Sequence, residues 1–193
     1  MNFIKYNISM ADILGDKKIC KKCGKCCRLV ASLKSYEELC LDAKNGDNVA
    51  INFLKLFLPY ADIEEAKAVD EKVVNETCAM NKRVYGAETY FYFCRYLGES
   101  WLCNVYEMRP KLCRTFPKNE FVPLPDGCAY EGYAFIAREK IKTKVRKAKE
   151  QLLDIKVMRQ AATDRATIER LNKIEKNAQA LIDEYKAFGS TNW

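Results

Sequence analysis

The sequence contains no histidine. That absence excludes Ser–His–Asp triads, Cys–His nucleophile pairs and every zinc finger of mixed Cys/His type. No apolar run approaches the roughly 18 residues that a membrane-spanning helix needs. The start, Met1-Asn2-Phe3-Ile4-Lys5-Tyr6, lacks a basic stretch followed by an apolar one, so no secretory signal is read and the expected location is the cytoplasm. There is no Gly-rich phosphate loop of the P-loop or dinucleotide kind, no internal repeat and no low-complexity tract. With 193 residues, 49% hydrophobic and 31% charged, the chain has the composition of a folded protein of one domain or two small ones.

Cysteine is what the sequence does have, ten of them. At about 5% this falls below the ~8–10% of short secreted disulfide scaffolds. In a reducing compartment structural disulfides are rare, so clustered thiols read as metal-binding or catalytic. Charge is uneven as well. Residues 136–193 carry fourteen Lys/Arg against eight Asp/Glu, which accounts for +6 of the net +7.

The pattern along the chain predicts a mainly α fold with a small β-hairpin, irregular cysteine-rich metal-binding loops and a C-terminal antiparallel helical hairpin. Ser35, with Glu38 at the capping-box position, starts a helix at Tyr36 that Gly46 stops. Asp47 caps a second, Val49 to Leu58, ended by Pro59. Asp62 opens a third, about Ile63 to Met80. The aromatic run Tyr90–Leu97, the turn Gly98-Glu99-Ser100 and the segment Trp101–Val105 read as a hairpin with one cysteine on each arm. Residues 106–132 hold proline and cysteine with little periodicity. From 133 onward Ile141, Val145, Ala148, Leu152 and Ile155 form one helical stripe. After a break near Ala162-Thr163-Asp164, a second stripe runs through Ile168, Leu171, Ile174, Ala178, Leu181 or Ile182, Tyr185 and Phe188. The expected organisation is a cysteine-cluster domain over 1–135, with a helical insert at about 35–82, and a basic helical hairpin over 136–193 packed on it or extending from it.

The strongest motif is Cys20-Lys-Lys-Cys23-Gly-Lys-Cys26-Cys27. Two successive x2 spacings put three thiols around one tight loop, and Gly24 can take the positive φ such a loop needs. Ferredoxin runs use this spacing, with a distant cysteine completing the cluster. A zinc knuckle needs only one Cys-x2-Cys pair. Cys26 and Cys27 have Cα atoms about 3.8 Å apart, too close for an unstrained disulfide, so they suit two neighbouring metal centres better than a cystine. Cys94, Cys103, Cys113 and Cys128 supply four more thiols, making eight, enough for two four-thiolate sites. Cys40 and Cys78 fall in predicted helices and read as small core hydrophobes. Lys17, Lys18, Lys21, Lys22, Lys25 and Arg28 against Asp16 surround the motif with positive charge, which favours thiolates. Arg109 and Arg114 bracket Cys113 and could donate to sulfur as outer-sphere partners, or form ion pairs such as one with Glu107. Tyr90, Tyr92, Phe93, Tyr96, Trp101, Tyr106 and Phe116 read as core or as an apolar shell for the site.

Cys-x2-Cys-Gly-x-Cys-Cys-Arg at 20–28, Cys94-Arg-Tyr-Leu, Cys103-Asn-Val-Tyr106-Glu107-Met-Arg109-Pro110-x2-Cys113-Arg114-Thr-Phe116-Pro117 and Gly127-Cys128 resemble the YkgJ-type cysteine-cluster family. That resemblance implies zinc or iron chelation through Cys20, Cys23, Cys26, Cys27, Cys94, Cys103, Cys113 and Cys128. The flagellin lysine methylases share the cysteine pattern but are larger, so methyl transfer is not carried over. The spacing differs from the x3-then-x2 of radical-SAM sites, and no βαβ setting supports a thioredoxin-type redox pair.

Two functional classes follow. One is an iron–sulfur protein with one or two clusters and a redox or cluster-assisted modifying role. The other is a zinc-stabilised interaction module. In the second, the basic run Arg138, Lys140, Lys142, Lys144, Arg146, Lys147 and Lys149 would meet an acidic protein, RNA or an anionic surface. A solvated helix face is the plainer account of the same run.

Overall fold

The structure, a computed structural model, describes residues 20–114, 116–117 and 121–188. Asp16, Lys17 and Lys18 of the expected basic loop lie outside the described residues. The described elements run α1 (Lys25–Arg28), β1 (Val30–Ser32), α2 (Tyr36–Lys44), α3 (Asn48–Leu56), β2 (Phe57–Pro59), α4 (Ile63–Tyr85), β3 (Tyr90–Cys94), a 3-10 turn (Tyr106–Met108), α5 (Lys111–Arg114), α6 (Glu131–Ala161) and α7 (Arg165–Phe188). The protein is mainly α, with one small antiparallel sheet. Packing divides it into two compact units: the described residues of 20–117 with 122–131, and Phe121 with 132–188.

In the first unit the strand order is β1-β3-β2. Val30 stands opposite Tyr92 on one side of β3, and Phe57 opposite Cys94 on the other. Side chains alternate along a strand, so Tyr92 and Cys94 leave one face of the sheet while Phe91 and Phe93 leave the other. Leu39 of α2 and Ala50 and Leu56 of α3 pack on the first face with Phe57, Tyr92 and Cys94. The Phe53 ring meets Tyr92 edge-on at 5.0 Å. The buried Tyr92 hydroxyl donates to Lys34 O at 3.0 Å, so its burial leaves no unpaired polar atom. Ala66 and Val74 of α4 pack on the second face against Phe91. One strand buried on both faces thus organises the unit and delivers Cys94 at its end.

Local capping chemistry sets the helices. Ser35 Oγ accepts from Glu38 N at 3.2 Å while Ser35 N donates to Glu38 Oε2 at 2.7 Å, the reciprocal box that the sequence implies. Asp47 caps α3 through Val49 N at 2.7 Å, and Asp62 caps α4 through Glu65 N at 3.0 Å. Two ends differ from expectation. Helix α3 stops at Leu56, before Pro59, because Phe57 and Leu58 pair with β3. Helix α4 runs past Met80 to Tyr85, where Gly86 closes it at φ 66°. At Asp70 its backbone leaves the helical region, and Asp70 Oδ1 accepts from Val73 N at 3.1 Å, an internal cap at the kink.

The aromatic hairpin contracts to a tight turn. Its arms meet at the single Leu97–Cys103 bridge, with Gly98 N donating to Leu102 O at 2.9 Å. Strand β3 takes its ladder partners from β1 and β2 instead. Trp101 and Leu102, on the second arm, are exposed and offer no alternating face to pair.

The second unit is a pair of helices packed along the expected stripes. Val145 and Ala148 of α6 bury against Ala178, Ile182 and Tyr185 of α7, with Ile141 and Leu152 half-buried beside them. Asp164 in the short turn accepts from Thr167 N at 2.8 Å and caps α7. Near that turn Arg159 Nη2 meets Glu175 Oε2 at 2.5 Å. At the other end Phe121 stacks on Phe188 at 5.3 Å between centroids. The Arg159–Glu175 ion pair ties α6 to α7 across the antiparallel hairpin.

Candidate metal centre

Four short segments of the first unit bring cysteines to one cleft. The first is the 20–28 loop. Lys22 adopts φ 60°, and its N–H donates to Cys20 Sγ at 3.4 Å. Gly24, at φ 69°, lies so close to the 101 backbone that a Cβ there would stand 1.8 Å from Trp101 O. No other residue fits. Cys27 N then donates to Gly24 O at 2.9 Å, starting the single turn α1 that carries Cys26 and Cys27.

The second segment is the end of β3 with its turn. Cys94 is buried, the Tyr96 N–H reaches its sulfur, and the Leu97–Cys103 bridge returns the chain so that Cys103 joins it. The third is the Pro110 turn, where Cys113 N donates to Pro110 O at 3.0 Å. The fourth is the 125–130 turn, where Cys128 N donates to Pro125 O at 3.0 Å and the Tyr130 N–H reaches the Cys128 sulfur. Lys25 Nζ donates to Asp126 O at 2.6 Å, and Lys72 Nζ of α4 pairs with Asp126 Oδ1 at 2.8 Å, tying this turn to the first loop and to α4.

The cleft is lined by Cys20, Cys23, Cys26, Cys27, Cys103, Cys113 and Cys128, with Tyr106, Arg109, Phe116 and Tyr130. Cys94 is not part of that lining and belongs to the buried core, against which Cys27 and Cys113 pack. All ten cysteines are free thiols. Cys40 and Cys78 stand apart on α2 and α4, half-buried, with Cys78 against the Ala66–Val74 core. Among the described residues no group of three or more Cys, Asp or Glu side chains is spaced to hold a metal ion as it stands.

The thiols sense one another. Cys26 hydrogen-bonds to Cys27; that bond, then burial, then the charges of Cys27, Cys20 and Cys128 push the Cys26 thiol far up. The same bond, aided by Arg109 against burial, pulls Cys27 below the ordinary thiol range. Burial, then Cys27, Cys94 and Cys103, push Cys113 up to about 11. Burial also raises Cys94, with Cys27 and Cys103 adding to it. Cys128 is raised by burial, then by Cys23 and Cys20. Burial and the neighbouring sulfurs together disfavour charging all of these thiols at once.

The donor set decides which cation fits. Among the described residues no carboxylate lines the cleft; its lining is thiols with the Tyr106 and Tyr130 rings, under a basic rim of Lys21, Lys22, Lys25 and Arg109. Such a thiol-rich lining offers little to hard oxygen-seeking ions such as Mg²⁺ and Ca²⁺ and has the donor chemistry of a zinc or iron site.

Of the two arginines, Arg109 lines the cleft, its guanidinium 3.7 Å from the Tyr106 ring centroid and its Nε on Tyr106 O. Arg114 instead uses Nε on Arg109 O at 2.5 Å and Nη2 on Glu107 O at 3.4 Å, so it braces the backbone of the Pro110 turn. The Glu107 carboxylate meets Lys22, at 3.5 Å. Among the aromatics Tyr92 is core, Trp101 is half-exposed under the Arg28 guanidinium, and Tyr106 hydrogen-bonds to Cys20. Sequence reasoning missed that contact and the Asp126 clamp. A signal for the sulfur-directed N–H groups was present, since Cys94-Arg-Tyr96 and Cys128-Ala-Tyr130 repeat one Cys-x-Tyr pattern.

A family model covers residues 19–129, more than half of the chain, and is that of the CxxCxxCC family, described as a proposed zinc- or iron-chelating domain. The chain belongs to the CxxCxxCC family. The matched span takes in all eight clustered cysteines, and a CxxCxxCC protein is a metal-binding one on that description. No curated protein and no solved structure matches the chain. On α6, outside the matched span, Lys140, Lys144, Arg146, Lys147 and Lys149 are exposed, while Lys142 pairs with Glu139 at 2.6 Å. Among the described residues no helix is long and apolar enough to cross a membrane.

Proposed function

We propose that this chain is an iron–sulfur protein in which Cys20, Cys23, Cys26, Cys27, Cys94, Cys103, Cys113 and Cys128 ligate one or two clusters, with a redox or cluster-assisted modifying role. The observation that carries the reading is the meeting of four separate segments at one thiol-lined cleft. Three thiols from the x2–x2 loop and a remote fourth, Cys128, repeat the way ferredoxin loops hold a cubane. N–H groups directed at the Cys20, Cys94 and Cys128 sulfurs would donate to bound sulfur ligands and tune a cluster's potential. A bound cluster would supply one-electron exchange. The chain's own residues orient the sulfurs and, through Arg109 and the lysines of the rim, offset the negative charge of the ligand sets.

The same donor set also suits zinc, and one observation favours that second reading: the exposed cations of α6 form a surface a zinc-ordered module could present to a partner. Anaerobic purification separates the two. Brown protein containing iron and acid-labile sulfide is the expected result. Colourless protein with stoichiometric zinc would overturn the iron–sulfur assignment, and protein that binds neither metal would overturn both.

A further inference from the structure

Three of the eight sulfurs share an environment that the others lack, and a fourth is tied to it by a backbone bridge. Cys94 belongs to the buried core of the first unit, and Cys27 and Cys113 pack directly against that core. The fourth is Cys103: the Leu97–Cys103 bridge sets it opposite Leu97, three residues after Cys94, and Leu97 N donates to Cys94 O at 3.2 Å. Cys20, Cys23, Cys26 and Cys128 take no part in that core. Cys23 is exposed, and the turn bearing Cys128 is held by polar contacts, Lys25 and Lys72 to Asp126.

We propose that the cleft is two inequivalent four-sulfur centres: an inner one of Cys27, Cys94, Cys103 and Cys113, and an outer one of Cys20, Cys23, Cys26 and Cys128. Electrostatic neighbourhood follows the same division. Cys94 and Cys113 both lie in the field of Cys27 and Cys103, and Cys128 lies in that of Cys20 and Cys23. Successive residues of a helical turn point about 100° apart, which follows from 3.6 residues per turn. Cys26 and Cys27 on α1 can therefore serve different centres, and their mutual hydrogen bond marks the seam between them. Cys94, the one buried sulfur of the eight, belongs to the inner centre and Cys23, the one exposed sulfur, to the outer, so the inner centre is the slower to exchange.

The inference rests on the metal-binding reading, and the experiment keeps the two apart. Bound metal per chain is measured on anaerobically isolated wild-type protein and on Cys128→Ala, Cys113→Ala and Cys128→Ala paired with either Cys23→Ala or Cys113→Ala. Each single variant should lose half of the metal. Adding Cys23→Ala to Cys128→Ala should cost nothing further, whereas adding Cys113→Ala should remove the rest. In the wild type a chelator should strip half quickly and half slowly, and Cys128→Ala should lack the fast half. Loss of all metal in either single variant with helical circular dichroism intact would mean one shared centre and overturn the division. Where a variant unfolds, Co(II) titration of the wild-type chain decides instead: thiolate-to-cobalt absorption rising to two equivalents upholds two centres, and saturation at one overturns them. Wild-type protein that binds no metal would instead refute the reading on which this rests.

Discussion

The two units of this chain reach order by different means. In the helical hairpin, order comes from repetition: apolar residues return every three or four positions, so each turn of α6 finds the same kind of contact on α7. The cysteine loops have no period. Their shape depends on single residues that nothing else can replace, such as Gly24 against the Trp101 carbonyl, the Lys22 and Trp101 backbones at positive φ, and the Asp126 clamp. A repetitive design spreads the effect of a substitution over many contacts, whereas an irregular one concentrates it. The irregular segments are also where the thiols are, and metal binding would add ordering free energy exactly where apolar burial is sparse.

That contrast predicts the largest effect at Gly24. Gly24→Ala would put a methyl group 1.8 Å from a backbone oxygen and a side chain at φ 69°, so the first loop must move away from the 101 turn. Bound metal should fall to a small fraction of wild type while the helical signal of the hairpin survives. Full metal content in Gly24→Ala would break the comparison. In the hairpin the largest single effect should come from Ile155, 2% exposed. Ile155→Ala should cost about 2–5 kcal/mol of stability, read as an earlier urea midpoint of the helical signal, with metal content unchanged. A loss of metal in that variant would mean that the loops depend on the hairpin's stability.

The contrast also explains what could be read in advance. Periodic stripes and caps are local, so Ser35, Asp47, Asp62 and the Asp164 break each stood where the sequence implied. Strand partners are not local. The ladder of β3 is built from residues 30–32 and 57–59, and a three-residue strand carries too little pattern to announce itself. The run Tyr90–Cys94 is aromatic throughout because both faces of the sheet are covered, and that same feature hid its partners, since a hairpin arm would need one polar face. The kink at Asp70 arises because an aspartate side chain offers the backbone an acceptor inside a helix, a competition that apolar spacing does not register. The gathering of cysteines could be read from spacing and from the family motif, while which sulfur neighbours which depends on tertiary packing.

Smaller effects sharpen the comparison at the helix starts. Ser35→Ala removes the hydroxyl acceptor of the α2 capping box, leaving the backbone N–H of residue 35 to donate to Glu38, and should cost about 1 kcal/mol. Because α2 packs on the sheet face that carries Cys94, this variant should release metal to a chelator somewhat faster at equilibrium content equal to wild type. Unchanged release with the same loss of stability would show that the loops hold their sulfurs independently of the helices.

The smallest effect is at Asp164, where the Thr167 N–H holds the carboxyl below its usual range. A carboxyl depressed in the folded state contributes stability that is fully present above its unfolded pKa. That contribution is lost as pH falls through the folded value. Asp164→Asn keeps a capping oxygen but cannot titrate. The wild-type advantage over Asp164→Asn in the urea midpoint of the helical signal should therefore be constant from neutral pH down to the ordinary carboxylate range and shrink below it. Metal-bearing loops should not follow the same curve, because thiolates take up protons and release metal at higher pH than a carboxylate does. If the hairpin and the metal content decline together in acid, with no separate step assignable to Asp164, then the units are ordered by one cause and not two.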